Sequence, residues 1–324
     1  MRTLPYLLSA SLFTLAGCNA PPVPTAALSV ATPDAGVVDE IADTRRPHTD
    51  LTPLPPVQPG ISAYDPEPAC SDQLTLGAGE KLGASTGGSD HGLSVTSDEL
   101  SAAWMTESGG AVTIHHVDRA HGTDAFGAPR SITGAFAAGR IALKSDGLEL
   151  AVVDAGGLGF SVLRRSERGE AFGDPEVGPF ELLDNQGRDE LGPAGEHYAD
   201  PLYANGDKYF IFSRVPASGA GKVHIGSRFM FGAPFSPGVP FAEEALAPAG
   251  SKRKSVTGAS VDVRTLFVWD ETAAKSVVVR LSAKGAIEST TDLGAARDVQ
   301  PTADCRVFWF TSGSPSDVRR FAAP

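Results

Sequence analysis

The chain contains very little cysteine. Only Cys18, Cys70 and Cys305 occur among its 324 residues. An odd number of cysteines excludes a set of intramolecular disulfide bonds that uses all of them, so at least one cysteine has another role.

Positive charge is also scarce. The chain has 27 Lys and Arg residues against 39 Asp and Glu residues, which gives a formal net charge of −12. Its one basic cluster is Lys252-Arg253-Lys254, which we expect in a solvated loop. This balance argues against nucleic acid or anionic lipid headgroups as a main partner.

The apolar run near the N-terminus is too short to cross a bilayer. It extends from Leu7 to Leu15, follows Arg2, and precedes the small residues Ala16 and Gly17. A positive start, a short apolar stretch and a small-residue cleavage site are typical of a secretory signal peptide. We therefore predict a signal peptide at residues 1–17.

The sequence Leu15-Ala16-Gly17-Cys18 resembles the lipobox of bacterial lipoproteins. The resemblance implies that Cys18 carries lipid, begins the mature chain and anchors it to a membrane. The alternative is an ordinary signal peptide with an unrelated cysteine. Asn19 is not the Asp that is associated with inner-membrane retention in some bacteria. The predicted location is therefore the bacterial cell envelope, at the outer membrane on its periplasmic or surface side.

Residues 18–68 are predicted to form a flexible tether that starts at the lipidated cysteine. The segment is rich in Pro, Ala, Thr and Asp and has neither helical nor strand periodicity. Proline fixes φ and lacks an N–H donor, so such segments stay extended and solvated.

Residues 69–324 have the pattern of an all-β domain. Short apolar runs are closed by Gly, Asp or Asn turns, and one pattern of turn and apolar strand recurs five times. The recurring segments begin at Ser97, Ser145, Ala204, Val261 and Ala303. We predict a β-propeller of about five four-stranded blades, with a two-sheet sandwich as the alternative. A tail of Phe-Gly-x-Pro follows the first three units, at Phe126–Pro129, Phe172–Pro175 and Phe231–Pro234.

The repeat resembles the WD-like propeller repeat of TolB-type periplasmic proteins over residues 92–324. The resemblance rests on Ser145–Leu150, taken as an innermost strand, and on the aromatic second strand Val307–Thr311. Glu99 and Val263 stand where glycine is usual, so we expect the turn at Val263 to differ. The resemblance implies a binding scaffold without fixed catalytic residues.

The motifs that could carry chemistry are weak. Ser85 lies in a Gly-x-Ser-x-Gly pattern, but its flanks are loop-like rather than strand and helix. His115 and His116 point to opposite faces of a strand, and His121 lies close in sequence. The acidic segment 184–200 could surround Ca²⁺ but breaks the EF-hand spacing, so a solvated loop is favoured. We predict no catalytic residue, metal ligand or cofactor.

Two classes of function stay open. A non-catalytic scaffold would bind a protein or glycan partner in the envelope, at the mouth of the channel where the innermost strands begin. A glycoside hydrolase or lyase would instead need two carboxylates there, for which only Asp200 and Asp298 qualify. The predicted binding residues at this mouth are His91, Arg140, Asp200, Lys254 and Asp298.

The remaining cysteines complete the prediction. With Cys18 lipidated, an exported chain leaves Cys70 and Cys305 as its possible disulfide pair. The last unit runs out before a fourth strand, so we expect Gln73–Leu76 to supply that strand and close the ring.

Overall fold

The computed structural model contains only β-strands as regular elements in the residues that it describes. These are residues 70, 74–82, 89–108, 111–132, 134–137, 139–177, 197–216, 221–228, 235–236, 238–241, 254–282 and 285–323. The predicted signal peptide at 1–17, Cys18 and the tether at 18–68 lie outside them. Within this part of the chain no helix is long and apolar enough to span a membrane.

The strands form five four-stranded antiparallel sheets. Blade 1 contains β2 (Ser89–Val95), β3 (Ser101–Ser108), β4 (Ala111–Asp118) and β5 (Arg130–Ile132). Blade 2 contains β6 (Ala142–Leu143), β7 (Glu149–Val153), β8 (Phe160–Arg164) and β9 (Glu176–Val177). Blade 3 contains β10 (His197–Ala204), β11 (Tyr209–Val215), β12 (Lys222–Ser227) and β13 (Val239–Pro240). Blade 4 contains β14 (Lys254–Ala259), β15 (Thr265–Asp270), β16 (Lys275–Leu281) and β17 (Ile287–Gly294). Blade 5 contains β18 (Arg297–Pro301), β19 (Val307–Gly313), β20 (Ser316–Ala322) and, from the other end of the domain, β1 (Glu80–Lys81).

The first strands of the blades form a ring. Strands β2, β6, β10, β14 and β18 contact one another in this order, and β18 contacts β2 again. The domain is therefore a five-bladed β-propeller. This confirms the predicted fold class, and the sandwich alternative is wrong.

The core is divided into five apolar clusters, one between each pair of neighbouring blades. Side chains alternate along a strand, so each second strand serves two clusters. Trp104 of β3 packs toward blade 5 while the next residue, Met105, packs toward blade 2, and both are fully buried. Apolar residues on both faces of these strands are needed because each sheet is covered on both sides.

The turns between first and second strands share one hydrogen-bond pattern. The Oδ1 atoms of Asp98, Asp262 and Asp304 accept the N–H two residues later at 3.0, 3.0 and 3.1 Å. The next residue has a positive φ, which is 58° at Glu99 and 57° at Val263. The expectation of a different turn at Val263 is therefore wrong, because the aspartate fixes the turn and Val263 is buried in the cluster between blades 3 and 4.

Two other assignments within the repeats need correction. Ser145–Leu150 is not an innermost strand, because it contains the turn and the start of β7, and β6 precedes it. Arg119, Arg165 and Arg228 lie over phenylalanine rings at 4.6, 4.6 and 4.7 Å. Their partners are Phe126, Phe172 and Phe235, so the third tail is shifted from Phe231–Pro234, which lies outside the described residues.

The start of the domain closes the ring. Glu80 pairs with Arg320 and Lys81 with Arg319, so β1 is the fourth strand of blade 5. The predicted segment Gln73–Leu76 is not this strand. Gln73 lies outside the described residues, and Leu74 and Leu76 instead pack into the cluster between blades 4 and 5. The predicted disulfide between Cys70 and Cys305 is present, with a Cα–Cα distance of 5.2 Å.

Polar contacts join neighbouring blades. Both carboxylate oxygens of Asp118 in blade 1 accept hydrogen bonds from Arg165 of blade 2, each at 2.7 Å. Burial raises the pKa of the Asp118 carboxyl, but hydrogen bonds from His116, Arg165 and Ser101 lower this pKa well below its usual range.

Glu99 closes the other side of blade 1. Its Oε2 accepts hydrogen bonds from the Trp309 indole at 3.0 Å and from Arg320 Nε at 2.7 Å, both in blade 5. This contact accounts for a glutamate where the repeat favours glycine.

Candidate functional site

The axis of the propeller is occupied by the side chain of Arg140, which precedes β6. Its Nη1 donates to Asp298 Oδ1 of blade 5 at 2.5 Å. Its Nη2 donates to the carbonyl of Thr257 in blade 4 at 2.8 Å and to that of Leu93 in blade 1 at 3.2 Å. The guanidinium thus bonds to three blades besides its own.

Asp298 and Asp200 lie at equivalent irregularities of their innermost strands. Pairing shifts between Arg297 and Gln300 in β18 and between Ala199 and Leu202 in β10. Both aspartates have a positive φ, 57° and 54°, which Asp tolerates better than most residues. These bulges turn the two carboxylates toward the centre of the ring.

Two carboxylates accompany the axial guanidinium. Asp298 Oδ2 also accepts the N–H of Gly92 at 2.8 Å, and Asp200 Oδ2 accepts the Ser255 hydroxyl at 2.8 Å. Burial lowers the pKa of the Arg140 guanidinium, and the charges of Asp298 and Asp200 act in the opposite direction. Arginine stays protonated even so, so the centre holds one cation between two carboxylates.

The structure places the five predicted binding residues differently. Arg140, Asp200 and Asp298 come together, but their exposed fractions are only 3%, 2% and 1%. Direct contact with a partner would require the axis to open. His91 Nδ1 lies 3.1 Å from the carbonyl of Ser89, and Lys254 Nζ lies 3.5 Å from Asp270 Oδ2, so both interact within their own blades. Their role in binding stays a prediction.

A cleft opens beside this end of the axis, between blades 4 and 5. We call it the blade 4–5 cleft, and its volume is about 430 Å³. Arg297, the first residue of β18, is exposed there, and its guanidinium carbon lies 5.5 Å from the centre of the Trp269 ring. The residues that line the cleft are Leu76–Ala78, Trp269, Leu293, Ala295–Arg297, Phe310–Gly313 and Ser316.

A second cavity lies where the innermost strands end. This turn-side funnel has a volume of about 230 Å³ and receives residues from all five blades. Among its described lining residues the one carboxylate is Asp207, which accepts hydrogen bonds from the N–H of Ser145 at 2.9 Å and from the Ser145 hydroxyl. Burial raises the pKa of Asp207. Asp207 is thus engaged by the neighbouring blade.

Other candidates are structural or lie outside the described residues. His115 stacks on Trp104 at 5.8 Å, and His116 meets the edge of Phe172 at 5.1 Å. Within the described part of the chain, no group of three or more His, Cys, Asp or Glu side chains could hold a metal ion. Ser85 and residues 184–196 of the acidic segment lie outside that part.

Neither Trp269 nor Arg297 is among the binding residues predicted from the sequence. Trp269 ends an apolar strand, and Arg297 immediately precedes Asp298, which was selected as the start of an innermost strand. A bulge at Asp298 would have indicated that its neighbour faces outward. The pairing of these two residues depends on how blades 4 and 5 meet.

No protein-family model matches the chain, and no curated relative matches it in sequence. TolB from Acinetobacter baumannii is 14% identical over 66% of this chain and 45% of its own length, with a TM-score of 0.40. Regucalcin from Agrobacterium tumefaciens, a calcium-binding protein, is 13% identical over 78% of this chain and 79% of its own, with a TM-score of 0.42. An α-L-arabinofuranosidase from Podospora anserina is 11% identical over 76% of this chain and 95% of its own, with a TM-score of 0.43.

The likeness is one of fold. The chain spans less than half the length of that TolB structure.

Proposed function

We propose that the chain is a lipid-anchored, non-catalytic binding protein of the bacterial cell envelope. The lipobox at Leu15–Cys18 supports the anchor, and the Pro-rich segment at 18–68 supports a tether that carries the propeller away from the membrane. The outer membrane is the proposed location, and the partner is an envelope protein or glycan.

The distribution of carboxylates carries the argument for binding. Hydrolysis of a glycosidic bond needs two carboxyl groups that face one substrate. In the part of the chain that the structure describes, the blade 4–5 cleft is lined by no carboxylate and the turn-side funnel by Asp207 alone. Asp200 and Asp298 line neither cavity, and Asp298 pairs with Arg140. These facts support a surface that binds over one that cleaves.

The anchor is tested by the variant Cys18→Ser. We expect the parent to fractionate with membranes and to show a lipidated Cys18 at its mature N-terminus by mass spectrometry. The variant should be released in soluble form or keep its signal peptide. An unmodified N-terminal residue other than Cys18 in the parent would contradict the proposal.

The binding role is tested with the full mature chain in mild detergent. Immobilised protein should retain a protein or polysaccharide from envelope fractions of the producing bacterium. Heat-denatured protein on the same resin is the control. Equal retention by the native and denatured proteins would show that retention is non-specific. Incubation with envelope polysaccharide should release no reducing ends and no unsaturated uronates. Their release would establish the hydrolase or lyase alternative, and failure to retain any partner would refute the binding role.

A further inference from the structure

The guanidinium of Arg297 is held in place without a carboxylate. It lies over the Trp269 ring, and within the described residues it makes no ion pair or hydrogen bond. The acidic residues next to this pair in sequence are already engaged, since Asp270 pairs with Lys254 and Asp298 with Arg140. Stacking on an aromatic ring leaves the edge of a guanidinium open for a second partner.

The local charge favours an anion. Among the described residues, the cleft lining contains one cation and no carboxylate, although the whole chain has a net charge of −12. Burial lowers the pKa of the Arg140 guanidinium, the charges of Asp298 and Asp200 raise it, and the charge of Arg297 lowers it, so Arg297 lies within electrostatic reach of the axis. A carboxylate at Arg297 would form a two-pronged hydrogen-bonded pair with its guanidinium.

The walls of the cleft favour an apolar group beside the anion. Leu76, Leu293, Ala296 and Phe310 supply carbon surface within a volume of about 430 Å³. This size lies in the usual range of about 300–1,000 Å³ for small-ligand sites.

Two of the three hydroxyl groups among the described cleft residues, those of Thr311 and Ser316 but not that of Ser312, already donate within the fold, which disfavours a sugar. Thr311 already donates to Asp298 Oδ2 at 3.1 Å, and Ser316 donates to the carbonyl of Asp90 at 2.6 Å. A sugar ring would need several free donors and acceptors to replace its hydration. An apolar side chain needs none.

We propose that the blade 4–5 cleft binds the C-terminal carboxylate of a partner polypeptide, with Arg297 pairing the carboxylate and the apolar wall receiving the last side chain. Capture of a chain terminus is an established mode of peptide recognition. The inference rests on the proposed binding function and assigns its partner class and site.

The test uses a peptide library with randomised last four residues, prepared once with free C-terminal carboxylates and once as C-terminal amides. The immobilised full mature chain should enrich free-acid peptides that end in an apolar residue and should not enrich amides. Arg297→Gln should reduce the affinity for an enriched peptide at least tenfold, and Arg297→Lys should reduce it less because the charge remains.

Arg306→Gln is the matched control. Arg306 belongs to the same blade, its side chain is 84% exposed, and it does not line the cleft. Its replacement should leave peptide affinity unchanged, and both variants should keep the parental melting temperature because both arginines are exposed.

Three results with the peptides would overturn the proposal: no enrichment of free-acid peptides, equal enrichment of amides, or equal affinity in Arg297→Gln. Displacement of bound peptide by glucuronic-acid oligosaccharides with higher affinity would also overturn it in favour of a glycan. If the envelope pull-down retains a partner while the library fails, the cleft assignment is wrong and the binding function stands.

Discussion

Replacement of Arg140 with methionine removes the guanidinium that joins the innermost strands at the axis. Methionine keeps much of the length and volume of the side chain but cannot donate hydrogen bonds. The variant leaves the Asp298 carboxylate, which is 1% exposed, without its charge partner. It also leaves the carbonyl groups of Leu93 and Thr257 without this donor.

The expected loss in free energy of unfolding is large for a single substitution. Removing one member of a buried ion pair typically costs about 3–5 kcal/mol. The total free energy of unfolding of a domain is about 5–15 kcal/mol. For a domain of this size each kcal/mol shifts the melting temperature by about 2–4 °C, so a decrease of roughly 6–20 °C is expected.

A double-mutant cycle separates the ion pair from general damage. Asp298→Asn keeps a side chain that tolerates the positive φ and can still accept a hydrogen bond from Gly92. The combined variant Arg140→Met, Asp298→Asn should cost less than the sum of the single variants, by about 1–3 kcal/mol. Urea denaturation, monitored by tryptophan fluorescence, measures each free energy of unfolding. Substitution of the exposed Arg306 by Met is the control, and its free energy of unfolding should lie within about 0.5 kcal/mol of the parent value.

A loss below about 1 kcal/mol for Arg140→Met would refute this account of the axis. Strict additivity in the cycle would refute the coupling between Arg140 and Asp298.

Three further predictions concern contacts that join blades or close the ring. Because its folded-state pKa is depressed, Asp118 should stabilise the fold at pH values above its unfolded-state pKa of about 3.9 and lose that contribution as pH falls below it. Asp118→Asn should flatten the acid limb of a stability profile, and an unchanged limb would contradict the assignment. Cys70→Ser should destabilise the oxidised protein by up to about 5 kcal/mol, since the disulfide closes a very long loop, and detection of free thiols in the oxidised parent would rule this out. Glu99→Gly relieves the positive φ yet loses the bonds to blade 5, and we expect a net loss of about 1–3 kcal/mol in chemical denaturation; a more stable variant would mean that backbone strain dominates.

Local chemistry made the blades predictable. The turns at Asp98, Asp262 and Asp304 are specified by a side chain that bonds a backbone group two residues away, so the signal lies within a few residues. Strands that are apolar on both faces, such as β19, then indicate sheets stacked on both sides. Those two features were sufficient for the propeller and its number of blades.

Contacts between residues that are far apart in the sequence could not be predicted from local patterns. Leu74 and Leu76 alternate as in a strand, yet both fill the cluster between blades 4 and 5, while the polar pair Glu80–Lys81 supplies the strand without any apolar signal. Arg140 was selected from its position, but its burial follows from carbonyl groups on two other blades. No local pattern contains that information.

The order of Cys70 and β1 along the chain has a mechanical consequence. A membrane anchor at Cys18 would transmit tension along the chain and reach Cys70 before Glu80–Lys81. The bond to Cys305 would divert that load into the turn between β18 and β19, past the two-residue pairing of β1 with β20. While the disulfide is intact, the two-residue pairing of β1 with β20 would then carry none of that load, and after chemical reduction the same pull would act on β1 directly.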